Sequence, residues 1–459
     1  MKVIKKALDW LEARALPALL VVLVLALGLR LAVLVLFVAP DPSRLTYNVD
    51  AKGYERLAVN LLNGNGFTAS EAPPFTPEVL RTPGYPLFVA GIYSLAGISP
   101  ISVAFVQILL DVVSVALLYV VASMTGSKAL AIVASCTRAF DPAAVALSNS
   151  LMSETVFIFF VLLSLLVIQR LLVLKDFGLV SAVWLGVVTA VCALVRPVGL
   201  YYGLGIGGFL LLFFWRKMRR PRLIKFLSLY LLTFAVLLSP WIVRNYAVMG
   251  AFFFSTASSY NLLFENAVYV EAAEAAVDPA KVSAVKRLMF STLSQGNGWN
   301  QYETSLAMRD TALSILLHHW QTTATLFLRG VGVRLIAPHR QEYGILLHGE
   351  WRVSGSPGVL YTSGFKQALK RFLDSPGGAL GIFESLYLVP LLFFAVVGAV
   401  RGMKTQSRAA CMINLLIAGY FLLVPGLLLL GRMRAPAMPS IGLLSALGIT
   451  SIFSVRSKA

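Results

Sequence analysis

The sequence predicts an all-α protein that crosses a membrane many times, as a bundle of about ten transmembrane helices (roughly nine to twelve). Of its 459 residues, 58% are apolar and only 13% are charged, whereas about 25% of the residues in a soluble protein are charged. Apolar runs of about 20 residues, the length that spans a bilayer as a helix, recur along the chain. These observations exclude a soluble globular enzyme and a disordered chain.

The chain carries 39 basic and 21 acidic residues, a net charge of +18. Much of the basic excess lies in short clusters beside the apolar runs, which is the pattern of the positive-inside rule. We therefore attribute it to membrane topology and expect the bilayer, and no nucleic acid, as a partner.

Ten apolar runs have spanning length. The first, at about residues 16–38, follows a basic N-terminus and is too long for the apolar part of a cleaved signal peptide, so we expect a retained anchor. The other nine lie at 101–123, 127–147, 151–174, 178–195, 198–215, 223–243, 379–400, 411–431 and 435–454.

Two further apolar segments, 83–97 and 311–337, are ambiguous. If neither crosses, the basic clusters fall on the cytoplasmic side, with both termini. Segment 311–337 then lies at the interface as an amphipathic helix. One transmembrane domain, 1–459, is predicted. It contains a first extracytoplasmic loop (39–100), a large extracytoplasmic segment (244–378) and a C-terminal three-helix part (379–459).

The first of these loops contains an acidic residue next to a short amphipathic helix. Asp50 follows the first span, so it is expected at the boundary of water and lipid, where a carboxylate can accept a proton from a substrate. The alternative is that Asp50 caps the helix N-terminus, and the two roles are compatible.

Several motifs resemble the GT-C glycosyltransferases, membrane enzymes that take a sugar from a polyprenyl-phosphate carrier. The closest resemblance is to the bacterial branch of lipid A aminoarabinose transferases and Rgt-type galacturonosyltransferases, with protein O-mannosyltransferases more distant. The motifs are Asp50-x-x-x-Tyr54-x-x-x-Ala58-x-x-Leu61, Gly64-x-Gly66-Phe67, Arg81-Thr82-Pro83-Gly84-Tyr85-Pro86-Leu87-Phe88, Ser150–Glu154, Pro240–Tyr246 and Arg432–Pro439.

The resemblance implies transfer of a hexosyl or pentosyl group to a lipid, glycan or protein acceptor. It implies an extracytoplasmic active site in the cell inner (cytoplasmic) membrane, an inverting reaction, and Asp50 as catalytic base. Many relatives have Asp-Glu where this chain has Asp50-Ala51. The missing second acid argues against a bridging metal, so we assign no metal ligand and expect no required cofactor, and a divalent metal stays open.

Breaking the bond between a sugar and a lipid phosphate develops negative charge on the phosphate, which cationic side chains can stabilise. For Arg244, Arg432 and Arg434, the alternative is an interfacial arginine that marks a helix end. For Glu154, the alternative is an ion pair with Arg196. The substrate-binding candidates are Lys52, Tyr54, Arg81, Tyr85, Glu154, Arg196, Arg244, Arg432 and Arg434.

Other charged residues fall inside or beside apolar runs. We expect Arg30 to extend toward the membrane surface, with contact to the carrier phosphate as the alternative. We expect Arg138 to pair with Asp141, three residues later on one helix. Asp111 has no evident partner. The four histidines, His318, His319, His339 and His348, lack metal-ligand spacing and are expected at the interface or in loops.

Two other functions compete with sugar transfer. A transporter or lipid-linked sugar flippase would need a site near the bilayer midplane and related halves, which the sequence does not display. A non-catalytic assembly factor of the cell envelope would tolerate loss of Asp50.

Overall fold

The computed structural model describes residues 2–349, 378–404, 408–428 and 430–453, and in these ranges every regular element is a helix. The all-α fold class is thereby confirmed. The side chain of His348 and residues 350–377 and 454–459, which belong to the predicted segments 244–378 and 379–459, lie outside the described residues.

In the described ranges, six helices are long and apolar enough to cross a membrane. A pair of helices bent by 56° makes a seventh, and four shorter apolar helices accompany them. Each of the ten predicted runs has a helical counterpart, three of them among the shorter helices. The six are Ala15–Val38, Pro100–Ser123, Glu154–Leu174, Arg220–Met249, Gly378–Gly402 and Gly431–Phe453; the bent pair is Lys128–Ala139 with Pro142–Ser148; the shorter helices are Gly84–Ala96, Leu179–Val195, Val198–Phe214 and Arg408–Leu423.

The last helix, Met438–Phe453, is central to the bundle. Its neighbour Gly378–Gly402 approaches so closely that a Cβ atom on Gly398 would collide with the carbonyl of Leu444, and one on Gly448 with the carbonyl of Phe394. Small residues let membrane helices touch through their backbones. The 3-10 helix Gly431–Ala437, here called the turn before the last helix, leads into Met438–Phe453.

Residues 39–100, here called the first loop, contain the helix Val49–Leu62, and the Gly84–Ala96 helix follows. The side chain of Asn48, rather than Asp50, caps Val49–Leu62, because its Oδ1 accepts a hydrogen bond from the Asp50 amide at 2.8 Å. Asp50 lies in the first helical turn, so its carboxylate is not the cap.

Residues 244–378, here called the second loop, carry a series of helices with their own apolar cluster around Leu263, Phe264 and Phe290. The expected single helix at 311–337 is two helices separated at His319. The elements are Ala257–Leu262, the π-helical Leu263–Ala267, Val268–Glu274, Pro279–Asn297, Gln301–His318, Trp320–Ile336 and Arg340–His348.

The charges inside the bundle are paired differently from the prediction. Arg30 is fully buried and its Nε donates to Oδ2 of Asp111 at 2.6 Å, so the expectation that it extends to the surface is wrong. Arg138 also pairs with Asp111, on a neighbouring helix. The break after Ala139 separates Arg138 from Asp141, whose carboxylate instead caps the next helix. A buried charge needs a partner, and Asp111 serves two.

Candidate active site

Two arginines from distant parts of the chain meet at Asp50. Nη2 of Arg432 donates to Oδ2 of Asp50 at 2.9 Å, and Nη2 of Arg81 donates to Oδ1 at 3.3 Å. Arg81 also lies over the ring of Tyr54, one helical turn after Asp50. The Asp50 side chain keeps 40% of its surface exposed, so the carboxylate is accessible while both of its oxygens contact guanidinium groups.

Arg81 fits beside the helix Val49–Leu62 because position 53 is glycine. A Cβ atom on Gly53 would lie 2.7 Å from Cζ and Nη2 of Arg81. On its other side the guanidinium lies 3.6 Å from Glu78. The absence of a side chain at position 53 therefore gives Arg81 its place next to Asp50.

A second pair of opposite charges borders the first. Arg196 directly follows the helix Leu179–Val195. Its Nη1 lies 2.6 Å from Oε1 of Glu154 and donates to Oγ of Ser153 at 3.2 Å. The hydroxyls of Ser153 and Tyr54 are 3.4 Å apart, which joins this pair to the Asp50 helix. The distance of 2.6 Å confirms the predicted alternative of a Glu154–Arg196 ion pair, in which Glu154 is 1% exposed.

The cluster of Asp50, Arg81, Glu154, Arg196 and Arg432 holds three guanidinium groups against two carboxylates. Partial burial raises the pKa of Asp50, but the charges of Arg432, Arg81 and Arg196 outweigh it and hold the pKa below its usual value. With Glu78, which lies 3.6 Å from Arg81, three carboxylates balance the three guanidinium groups, and the lowered pKa keeps Asp50 ionised at neutral pH.

The structure places three other candidates outside these contacts. Lys52 is exposed. Tyr85 is buried, with its hydroxyl donating to Gln107 at 2.8 Å, and reaches the cluster only through the edge of the Tyr54 ring. Arg244 donates to the carbonyls of Glu78 and Phe67, which ties the second loop to the first.

The structure also differs from the prediction at Arg434. Its side chain is fully buried, with Nη1 bonded to the carbonyl of Arg334 at 2.6 Å and Nη2 to Oε1 of Glu384 at 2.6 Å. Glu384 in turn accepts from the amide of His339 at 2.8 Å and lies 2.8 Å from its Nδ1. His339 lies in the loop between Trp320–Ile336 and Arg340–His348, which was one of its two expected positions, and its side chain is buried. Arg434 thus anchors the turn that carries Arg432 and does not contact Asp50.

Sequence reasoning missed Glu265, a further carboxyl group that interacts electrostatically with Arg432 and Asp50. Partial burial raises the pKa of Glu265; the charges of Arg432 and Arg287 oppose this effect, and that of Asp50 adds to it. Glu265 lies in the π-helical segment Leu263–Ala267, and short π-helical segments often occur at functional sites. No motif in the sequence marked it.

Ser153, within the motif Ser150–Glu154, had no predicted role, although its hydroxyl contacts both Arg196 and Tyr54. Metal binding was assigned to no residue, and among the described side chains no three His, Cys, Asp or Glu residues come together as metal ligands would.

Comparison with known families finds one matching segment. The model of the family described as dolichyl-phosphate-mannose-protein mannosyltransferase matches residues 80–243. The segment includes Arg81, Glu154 and Arg196 but neither Asp50 nor Arg432. A search of curated proteins finds no match.

Solved structures share the fold at low sequence identity. The archaeal oligosaccharyltransferase AglB from Archaeoglobus fulgidus, in complex with an inhibitory peptide and a dolichol-phosphate, superposes with a TM-score of 0.53 and 16% identity over 97% of this chain and 51% of that one. The A. fulgidus oligosaccharyltransferase tethered to an acceptor peptide gives 0.54 and 15% over 95% and 49%. This chain spans about half the length of those proteins. This multi-pass membrane protein therefore shares its fold with these oligosaccharyltransferases, and its residues 80–243 are similar to the mannosyltransferase family.

Proposed function

We propose that this protein transfers a sugar from a polyprenyl-phosphate carrier to a lipid, glycan or protein acceptor, with inversion at the anomeric carbon. The observation that carries the proposal is the contact of both Asp50 oxygens with Arg81 and Arg432 at an accessible position. The archaeal enzyme of the same fold, whose complex includes a dolichol-phosphate, supports a lipid-linked donor.

The arginines serve the leaving group in this mechanism. As the bond between the anomeric carbon and the phosphate oxygen breaks, the bonding electrons stay on the lipid phosphate. Guanidinium groups form paired, charge-assisted hydrogen bonds to phosphate. Arg81 and Arg432 are the guanidinium groups that contact Asp50, and Arg196 is the third guanidinium group of the cluster.

Asp50 serves the acceptor. Its carboxylate takes the proton from the acceptor hydroxyl or amine while the acceptor atom attacks the anomeric carbon from the face opposite the phosphate. An aspartate held by two arginines is a weak base, because its pKa is lowered. A donor phosphate that competes for those arginines makes Asp50 more basic. Donor binding thus prepares the base.

The buried Glu154 positions Arg196 rather than reacting. Its carboxylate is 1% exposed and is joined to Arg196, so it holds the guanidinium at the end of its helix, facing the Tyr54 side of the cluster. Lys52, exposed on the same helix as Asp50, is available to the substrate in solution.

The alternative of a transporter or flippase is less well supported by the position of these charges. Glu154 is the first residue of its helix, Arg196 follows the end of another, and Arg432 lies in the turn before the last helix. A transport site is expected near the bilayer midplane, whereas this cluster lies at helix ends. We further propose that this end is extracytoplasmic in the cell inner membrane, with both termini in the cytoplasm.

The test is transfer of labelled sugar from a panel of polyprenyl-phosphate donors in membranes that contain equal amounts of wild type, Asp50→Asn or Glu71→Gln. Glu71 is an exposed acid of the same loop, which makes it the matched control. We expect transfer by wild type and Glu71→Gln and none by Asp50→Asn. Full transfer by Asp50→Asn would remove Asp50 from the mechanism, and no transfer by wild type from any donor would refute the proposed function.

A further inference from the structure

A cavity of about 600 Å³ lies where the N-terminal helix Lys2–Ala13 meets the first span. Its wall includes Trp10, Arg14, Leu16, Val21, Tyr119 and Lys128. The backbone of Arg14 leaves the helical conformation (φ −125°, ψ 38°), which separates the two helices and shapes the cavity.

The polar part of the wall is positively charged. Arg14 and Lys128 are exposed, and neither makes an ion pair with a carboxylate in the part of the chain that the structure describes. The one acidic lining residue, Glu12, is already engaged, because its Oε2 accepts a hydrogen bond from the amide of Ala129 at 2.8 Å. Glu12 keeps its negative charge in that hydrogen bond, so two cations and one carboxylate line the cavity, which leaves an excess of one positive charge.

The rest of the wall is apolar and continues into the membrane. Leu16 and Val21 keep 67% and 58% of their surface exposed, and both belong to the span Ala15–Val38. Exposed apolar side chains on a span contact lipid tails. Trp10, at the other side, is half-exposed, and tryptophan is enriched at the level of lipid headgroups.

We propose that this cavity binds an anionic glycerophospholipid, with its phosphate between Arg14 and Lys128 and an acyl chain along Leu16 and Val21. An excess of one positive charge in the wall favours a lipid with net negative charge over a zwitterionic one. The site is separate from the Asp50 cluster, because the first span, 24 residues long, puts roughly 36 Å between the cavity and the first loop. The proposal does not depend on sugar transfer.

The experiment titrates phosphatidylglycerol, and separately phosphatidylcholine, into the purified full chain in detergent and measures bound lipid by native mass spectrometry. The test variant is Arg14→Gln with Lys128→Gln. The control, Lys5→Gln with Lys6→Gln, removes the same charge from the N-terminal helix outside the cavity wall. We expect phosphatidylglycerol to bind about tenfold or more weakly to the test variant, and nearly as wild type to the control.

A charge-preserving variant, Arg14→Lys with Lys128→Arg, separates lipid binding from folding, and we expect it to retain the lipid. Equal weakening in the control would show general attraction to the basic surface and overturn the proposal. Equal affinity of wild type for phosphatidylcholine would overturn the preference for anionic lipid. Displacement of the lipid by millimolar inorganic phosphate would reassign the cavity to free phosphate.

Discussion

Arg432 donates a hydrogen bond to Asp50 at 2.9 Å although 382 residues separate the two along the chain. Asp50 lies in the first turn of the helix Val49–Leu62, and Arg432 lies in the turn that leads into the last, central helix. The contact joins the first loop to the centre of the bundle, and it makes the protonation of the proposed base depend on a residue near the other end of the chain.

Replacing Arg432 with glutamine should shift the pH dependence of transfer. The charge of Arg432 helps to hold the pKa of Asp50 below its usual 3.8, so its removal raises that pKa. Asp50 acts when deprotonated, and the fall of kcat/KM on the acid side should therefore begin at a higher pH than in wild type. Arg81→Gln should act in the same direction. The measurement is kcat/KM from pH 3 to 8 (values chosen around the ordinary aspartate pKa of about 4). If kcat/KM of Arg432→Gln fell at the same acidic pH as that of wild type, the assignment of Asp50 as the base would be contradicted.

Gly53→Ala should lower activity without lowering stability. The new Cβ would lie 2.7 Å from the end of the Arg81 side chain, which must move away from Asp50. Alanine is favoured over glycine inside a helix by about 1 kcal/mol, so the fold should tolerate the change. We expect kcat/KM to fall about tenfold, the equivalent of about 1.4 kcal/mol in the transition state.

The matched control is Gly91→Ala, since a Cβ at Gly91 meets no atom within 4 Å. Its kcat/KM should equal that of wild type. Unchanged activity in Gly53→Ala would mean that Arg81 does not need its contact with Asp50.

Glu384→Gln should destabilise the protein. Glu384 is fully buried and contacts Arg434 at 2.6 Å, His339 at 2.8 Å and the hydroxyl of Tyr343 at 2.6 Å. Removal of one partner from a buried ion pair costs about 3–5 kcal/mol, because the other charge is left uncompensated. Denaturant unfolding of the purified protein measures the loss, and a free energy equal to that of wild type would show that the pair is not needed for folding. The exposed Glu71→Gln is again the control.

Stability should also depend on pH through His339. Burial lowers the pKa of His339, but the charge and hydrogen bond of Glu384 outweigh burial and raise it above its ordinary 6.5. A raised pKa in the folded state contributes stability that is fully present below 6.5 and is lost as the pH rises through the folded value. Thermal unfolding between pH 5 and 9 (a window on both sides of the histidine pKa of about 6.5) should show a decline for wild type that His339→Gln lacks. The same decline in both proteins would contradict this assignment.

The sequence by itself determined the features that depend on residues close to each other along the chain. Apolar runs of spanning length predicted the helices, since burial in a bilayer requires an apolar surface over the whole span. The motifs of the first loop singled out Asp50, Tyr54 and Arg81, which lie within 31 residues of one another on the helix Val49–Leu62 and the segment that follows it. The Glu154–Arg196 pair was predicted as an alternative and is confirmed.

Only the tertiary structure decided which charged side chains contact each other. Arg432 and Arg434 are two residues apart and look equivalent in sequence, yet Arg432 contacts Asp50 and Arg434 contacts Glu384. Arg30 meets Asp111 across 81 residues. A buried charge takes the partner that helix packing places within about 3 Å, and that partner can come from any point along the chain. The sequence therefore determined the membrane-embedded helices and the candidate residues, and the packing of the bundle determined which of the candidate arginines contact Asp50.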